Sequence, residues 1–334
     1  MGEFELIQRY FARGPAPGQR TAGVTLGVGD DCALLQPAPG MQLAVSCDML
    51  VEGRHFLSTV DPARLGHKAL AVNLSDLAAC GARPLAFTLA LSMPEVHTAW
   101  LEGFSRGLFA LADAHGCELV GGDTTRGPLN LCITVFGEVP APGSPRPALL
   151  RSGAQVGDDL YVSGSLGLAR LALEVFRGTV SASAELFEAA RSRMEQPTPR
   201  VALGQALRGV ASAAVDVSDG LLGDLGHVLR ASRVGARIDT PVAMQLIADN
   251  DLLTGGEGHF SSDFLLECVL AGGDDYELAF TAPTAARDAV QAAAHATATP
   301  VTRIGVIEAA PGLRLVDAAG QPLERRYASF DHFA

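Results

Sequence analysis

Positive charge is scarce in this sequence, and the only lysine is Lys68. The 334 residues carry 25 Lys and Arg against 37 Asp and Glu, a formal net charge of −12 at pH 7. This balance argues against nucleic acid or an anionic membrane as a partner, because a polyanion would be repelled. A P-loop lysine is excluded, so bound phosphate must be met by arginine, backbone amides or metal ions.

Paired cysteines and long apolar runs are also lacking. The six cysteines occur singly, with no CxxC pair and no histidine cluster, which argues against a zinc site or a disulfide framework. Apolar stretches are interrupted by polar residues before they reach the length of a membrane span. Residues 1–13 have no long apolar core of a signal peptide. We therefore expect a cytoplasmic protein without a membrane partner.

Strand-like and helix-like patterns alternate along both halves of the chain, which favours an α+β fold. Four prolines within 140–147 can join neither a helix nor a strand ladder, so they predict a linker. The predicted organisation is an N-terminal domain at 1–140, a linker at 141–150 and a C-terminal domain at 151–334. The predicted elements include a helix opening at about Glu3, helices at 62–79, 95–115, 166–176, 200–207 and 283–295 and one opening at Asp219. The predicted strands are at 24–28, 42–50, 85–91, 118–121, 131–138, 159–163, 213–217, near Val269 and at 277–280.

Many carboxylates lie at strand ends or turns beside glycine, where a turn can direct an acid outward. Magnesium prefers oxygen ligands of this kind. The groups concerned are Gly29-Asp30-Asp31, Ser46-Cys47-Asp48, Asn73 to Asp76, Gly121 to Thr125, Asp216 to Gly220 and Gly272 to Glu277.

The groups nearest the N-terminus have structural alternatives. An ordinary Asp-rich turn also explains Asp30. Asp48 stands alone in an apolar strand, and it needs either a cation or a strand-end hydrogen bond because burying a lone carboxylate is costly. Asn73 and Asp76 share one helix face. They either bind a metal ion or form structural hydrogen bonds to a loop.

The glycine-rich groups are equally open to two interpretations. Gly121 and Gly122 let the backbone approach a ligand closely, or they form a tight structural turn. Asp219 is predicted to begin a helix whose free amides suit a phosphate, whereas helix capping is the alternative. Helix capping does not explain why an acid stands at Asp216.

Seven motifs, taken in order, resemble the thiamine monophosphate kinase family, within the superfamily of aminoimidazole ribonucleotide synthetase. The match runs nearly end to end. The motifs are GVGDD at 27–31, VSCDMLVEGRHF at 45–56, NLSDLAACGARP at 73–84, GGDTTRG at 121–127, DVSDGL at 216–221, GGDDYEL at 272–278 and FDHF at 330–333.

The resemblance implies a two-domain α+β fold, with an N-terminal mixed sheet and long helices that pair in a dimer barrel, and a C-terminal α/β sandwich. It implies a homodimer that uses ATP and several Mg²⁺ ions. The implied metal ligands are Asp30, Ser46, Cys47 (through its carbonyl), Asp48, Asp76, Asp123, Asp216 and Asp219. The implied ATP contacts are Gly122, Asp123, Arg151 and Ser218, the substrate contacts are His55, Asp274 and Phe330, and the catalytic residues are Asp48, Asp123 and Arg151.

Three positions depart from the family pattern. Cys47 stands where Thr is usual, Asp274 replaces a Glu, and Ser329-Phe330 replaces Gly followed by Tyr or Trp. The change from Thr to Cys47 does not affect a ligand role that uses the backbone carbonyl. The other two concern residues implied to contact the substrate.

The reaction implied is in-line transfer of the γ-phosphoryl group of ATP to thiamine monophosphate, giving thiamine diphosphate. A phosphate acceptor is already anionic, so no general base is required, and the barrier is the approach of two polyanions. Metal ions held by aspartates counter that repulsion. Two alternatives are a superfamily enzyme with a different acceptor and a noncatalytic nucleotide or metal sensor.

Overall fold

The computed structural model describes residues 2–12, 23–247, 253, 260–324 and 327. The chain divides into two compact units, the first comprising Met1–Leu77 and Ala82–Pro147 and the second Ala78–Gly81 and Ala148–Ala334. The division after Pro147 falls inside the segment 141–150 for which a linker is predicted. Both units mix helices with sheets, so the predicted α+β class is confirmed.

The elements of unit 1 are α1 (Glu3–Tyr10), β1 (Val24–Leu26), β2 (Leu34–Leu35), β3 (Met41–Val51), α2 (Pro62–Ala79), β4 (Arg83–Met93), α3 (Thr98–His115), β5 (Glu118–Arg126) and β6 (Asn130–Pro140). The unit is built on a four-stranded sheet in the order β3-β6-β4-β5, in which only β4 and β5 run parallel. A separate antiparallel pair, β1 and β2, lies before it in the chain.

The two long helices of unit 1 pack closely because glycine faces backbone where they meet. A Cβ on Gly107 of α3 would overlap the carbonyl group of Ala63 on α2, and one on Gly66 would overlap the carbonyl of Phe104. On the sheet side, Gly137 of β6 leaves just enough room for Leu77 of α2. Close packing of this kind fixes α2 over the sheet.

The elements of unit 2 are β7 (Asp159–Ser163), α4 (Leu168–Phe176), α5 (Ala184–Glu195), α6 (Val201–Leu207), β8 (Ala213–Val217), α7 (Leu221–Ser232), β9 (Gly235–Asp239), α8 (Thr240–Ala243), a 3₁₀ turn at Met244–Leu246, α9 (Ser262–Ala271), β10 (Glu277–Ala282), a 3₁₀ turn at Thr284–Ala286, α10 (Arg287–Ala296), β11 (Val301–Glu308) and β12 (Gly312–Val316). The strands form a six-stranded sheet in the order β12-β9-β11-β7-β10-β8, antiparallel except between β12 and β9. Strands β7, β8 and β10 are buried at every position.

The structure corrects two predicted elements of unit 2. The strand predicted near Val269 is wrong, because this residue lies in helix α9. The run Phe264 to Ala271 is almost wholly apolar, and such a run suits a buried strand as well as a buried helix. The distinguishing signal is Ser261, whose Oγ accepts the amide of Phe264 at 3.2 Å and caps the helix. The helix predicted from Asp219 begins at Leu221.

No helix within the described ranges has both the length and the apolar character needed to cross a membrane.

Candidate active site

In unit 1, two of the predicted acids line one cavity. Asp30 and Asp123 both border a cavity of about 750 Å³, together with Gly122 and with Thr88 and Leu89 of β4. Both acids are exposed. Asp30 Oδ1 accepts the amide of Asp31 at 2.8 Å, and Asp123 Oδ1 accepts the amide of Thr124 at 2.9 Å. Local turn bonds and a shared cavity therefore coexist at both acids.

Gly122 has a structural reason to be glycine. Its φ is 148°, and a Cβ there would overlap the carbonyl oxygen of Leu89 on the neighbouring strand. Nothing lies within 4 Å of a Cβ built on Gly121. The second glycine is thus required by the packing of β4 on β5, and this brings its backbone to the cavity wall.

A second group ties β3 to helix α2. Ser46 Oγ donates to Asp76 Oδ2 at 2.5 Å. The amide of Asp48 donates to Asn73 Oδ1 at 3.2 Å, and Asn73 is buried. The helix face predicted from the spacing of Asn73 and Asp76 therefore contacts the strand that carries Asp48.

The side chain of Cys47 lies on the opposite face of β3 from those of Ser46 and Asp48, as strand alternation requires. Its Sγ lies 3.4 Å from Cys132 Sγ and accepts a hydrogen bond from Thr134 Oγ1 at 3.4 Å. Burial, together with the Cys47 thiol, raises the pKa of Cys132 to about 11, so this thiol stays protonated at neutral pH. The thiol of Cys47 is engaged away from the acids, which leaves its carbonyl as the group suited to the implied ligand role.

His55 lies in the turn after β3, and that turn is held at two points. His55 Nδ1 accepts the amide of Val51 at 3.0 Å, and the carbonyl of His55 accepts Lys68 Nζ at 3.1 Å. Lys68 is only 2% exposed. The single lysine of the chain therefore supports the His55 turn from within unit 1.

In unit 2, Asp216 lies near the end of β8 and is buried, and Ser218 and Asp219 follow it. The amides of Ser218 and Asp219 both donate to Asp224 Oδ2, each at 3.0 Å. The amide of Asp219, the first of those expected to be free for a phosphate, is thus occupied by a carboxylate of α7. Sequence reasoning missed Asp224, although an acid in the first turn of the helix after Asp-Gly is a usable signal.

Arg151 interacts electrostatically with Asp224 in unit 2. Burial, with the nearby negative charge of Asp219, raises the pKa of Asp224 to about 6. The hydrogen bonds from the two backbone amides and the positive charge of Arg151 oppose this rise. The carbonyl of Arg151 accepts Ser232 Oγ at 3.2 Å. Arg151 therefore lies within electrostatic range of the turn that holds Ser218 and Asp219.

The loop containing Asp274 is hydrogen-bonded to the same turn. The amide of Asp274 donates to the carbonyl of Ser218 at 2.9 Å, and that of Tyr276 donates to Val217 at 2.8 Å. The predicted substrate contact and the predicted ATP contact of unit 2 are thus brought together.

Two buried acids hold this loop from behind. Asp275 accepts the amide of Gly167 with both carboxylate oxygens, at 3.0 and 3.1 Å, and burial raises its pKa well above the usual range. Glu277 is fully buried and binds Arg193 at 2.9 Å and Arg200 at 2.6 Å. Both acids belong to the candidate group Gly272 to Glu277, but neither was assigned a role of its own, because only the tertiary contacts distinguish them from Asp274.

The predicted metal ligands are divided between the two units. Six lie in unit 1, and Asp216 and Asp219 lie in unit 2. Among the described residues, no three His, Cys, Asp or Glu side chains are grouped as an all-protein metal centre. Mg²⁺ is usually held by one or two carboxylates together with water and substrate phosphates. Asp30 and Asp123, which line one cavity, suit this kind of coordination. Phe330 lies outside the described residues.

Comparison with known proteins defines the class of both halves. Residues 29–139 match the family model of the AIR synthase related protein, N-terminal domain, and residues 155–318 match that of the corresponding C-terminal domain. The chain is 45% identical over 335 aligned residues to the thiamine-monophosphate kinase of Salmonella typhimurium, covering 100% of this chain and 98% of that protein. The chain belongs to the thiamine-monophosphate kinase family.

Two solved structures support this assignment. The crystal structure of thiamine-monophosphate kinase from Stenotrophomonas maltophilia is 46% identical, with a TM-score of 0.80 over 90% of this chain and 93% of that one. A structure described as AaThiL complexed with AMPPCP and TMP is 28% identical, with a TM-score of 0.73 over 89% of each chain.

Proposed function

We propose that this chain transfers the γ-phosphoryl group of ATP to thiamine monophosphate, giving thiamine diphosphate and ADP. The observation that carries the proposal is 45% identity over the full chain to a thiamine-monophosphate kinase. A relative complexed with AMPPCP and TMP gives further support.

Several Mg²⁺ ions would be held by oxygen ligands. The residues proposed for this role are Asp30, Ser46, Cys47 (carbonyl), Asp48, Asp76, Asp123, Asp216 and Asp219. When bound, these ions neutralise phosphate charge and so reduce the repulsion between donor and acceptor. The one lysine of the chain is not available for this task, since it is buried and its Nζ donates to the carbonyl of His55.

The remaining roles follow the same assignment. Gly122, Asp123, Arg151 and Ser218 contact ATP, with Arg151 supplying the positive charge. His55, Asp274 and Phe330 contact thiamine monophosphate. Residues 1–140 form the domain that binds ATP and dimerises, residues 141–150 link the domains, and residues 151–334 complete the site.

A homodimer through β3 is part of the proposal. This strand is at one edge of its sheet, and its outward face exposes Leu43, Val45 and Met49, the last two at 57% and 55%. An exposed edge strand with apolar side chains calls for a covering partner. A Val45→Lys variant should shift the solution mass toward the monomer.

The experiment that tests the activity compares acceptors. ADP release from ATP is measured with thiamine monophosphate, with unphosphorylated thiamine and without acceptor, each with magnesium and with a chelator. We expect turnover only with the monophosphate and magnesium. Turnover indifferent to the acceptor would point to a sister enzyme with another acceptor, and binding of ATP without turnover would point to a sensor.

A further inference from the structure

The loop 274–277 divides its side chains between two sides. Asp275 and Glu277 face the interior, where they bind the amide of Gly167 and two arginines. Asp274 and Tyr276 alternate with them, and both have positive φ, 66° and 52°. Backbone with positive φ is strained for residues other than glycine, and it persists only where the surrounding structure holds it. Here the hydrogen bonds and ion pairs of the buried Asp275 and Glu277 hold Asp274 and Tyr276 in this conformation.

Tyr276 contacts Asp274 directly. Its Oη donates to Asp274 Oδ1 at 3.0 Å. The tyrosine is 8% exposed, whereas Asp274 is half-buried. A buried hydroxyl bonded to a more accessible carboxylate fixes the orientation of that carboxylate without blocking approach to it.

We infer that Tyr276 is a positioning residue that orients the Asp274 carboxylate toward thiamine monophosphate. This inference rests on the proposed function. Thiamine carries a cationic thiazolium ring and an aminopyrimidine, both of which a fixed carboxylate can recognise. Orienting the acid in advance removes an ordering cost from substrate binding.

The expected signature is selective for one substrate. Tyr276 acts on the acid proposed to bind thiamine monophosphate and not on the transferring phosphoryl group. Tyr276→Phe should therefore raise KM for thiamine monophosphate about tenfold and leave kcat and KM for ATP within about twofold. A purely structural role would instead reduce the amount of active enzyme and leave KM unchanged.

Tyr161 offers a matched control in the same unit. Its Oη donates to Asp159 Oδ2 at 3.3 Å, so it too binds an aspartate two positions earlier and is buried. Asp159 belongs to an ion cluster with Arg287 and Arg303, to which no substrate role is assigned. Tyr161→Phe should leave both KM values within about twofold.

The test is a double-mutant cycle with steady-state kinetics and thermal unfolding. In an Asp274→Ala background, Tyr276→Phe should change KM for thiamine monophosphate by less than about twofold, because no carboxylate remains to be oriented. An undiminished effect in that background, or an unchanged KM in the single variant, would overturn the inference while the proposed function stands. If Tyr276→Phe fails to fold whereas Tyr161→Phe folds, Tyr276 is structural and the inference is wrong. Failure of the unaltered enzyme to use thiamine monophosphate would overturn both.

Discussion

The acids of unit 1 and the loops of unit 2 are held in different ways. Asp30 and Asp123 are exposed, and each accepts the amide of the residue that follows it. In unit 2, the turn at Ser218 is held by the buried Asp224, and the neighbouring loop by the buried Asp275 and Glu277. Unit 1 thus presents acids that a cation can organise, whereas unit 2 presents loops organised before any ligand arrives. We expect substitutions of the acids proposed as ligands in unit 1 to affect activity alone, and substitutions of the buried acids in unit 2 to affect stability as well.

The largest expected effect concerns Asp48 of unit 1. Asp48→Asn should lower kcat about 10²- to 10³-fold, because it removes an anionic ligand, and should leave the thermal unfolding midpoint unchanged. Asp61→Asn is the matched control, since Asp61 only caps α2 by accepting the amide of Ala63 at 2.8 Å. Retained activity with an unchanged magnesium requirement in the Asp48 variant would exclude its proposed metal role.

The converse effect concerns Glu277 of unit 2. Glu277→Gln should lower the free energy of unfolding by about 3 kcal/mol, because it leaves two arginines facing a buried neutral group. Glu102→Gln is the control, since Glu102 pairs with Arg9 at 3.2 Å while both side chains are about half exposed. That change should cost at most about 1 kcal/mol in urea unfolding. Equal costs for the two variants would remove the contrast between buried and exposed acids.

The smallest effect depends on pH and concerns Asp159. The Arg287 hydrogen bond, aided by Arg303 and opposed by burial, keeps the pKa of Asp159 below its usual value. Because the folded pKa is the lower one, the ionised acid stabilises the fold above about pH 4, and this contribution is lost as pH falls through the folded pKa.

The Asp159→Asn variant should accordingly have a lower free energy of unfolding than the unaltered protein at pH 7. The difference between the two proteins should shrink as the pH falls toward 3. Urea unfolding at several pH values measures this difference. A difference that is constant with pH would show that the Asp159 ion pairs contribute nothing through its charge.

Much of the fold was predictable because local patterns and tertiary packing agree. Helix α2 runs from Pro62 to Ala79 as predicted, and β7 and β8 have their predicted limits. Helix α5 at Ala184–Glu195 was not predicted, although Ser183 caps it. Strands β9, β11 and β12 were missed as well, and their pairing joins segments far apart in the chain.

The sequence predicts which acids follow a strand end or a glycine, but it does not predict which partners from elsewhere in the chain contact them. Helix spacing predicts that Asn73 and Asp76 share a face, and strand alternation predicts the same of Ser46 and Asp48. That these two faces contact each other is shown by the structure alone. The role of Asp275 requires Gly167, which is 108 positions away. Motif spacing carries no information about such a pair, and the roles assigned to individual site residues remain proposals.

The measurement that tests the central claim most directly follows the transferred group itself. ATP labelled in its γ-phosphate is mixed with excess enzyme, thiamine monophosphate and magnesium in a single turnover, and the products are separated. The account predicts that the label appears in thiamine diphosphate at the rate at which ADP forms. Label released as inorganic phosphate, with thiamine monophosphate unchanged, would contradict it.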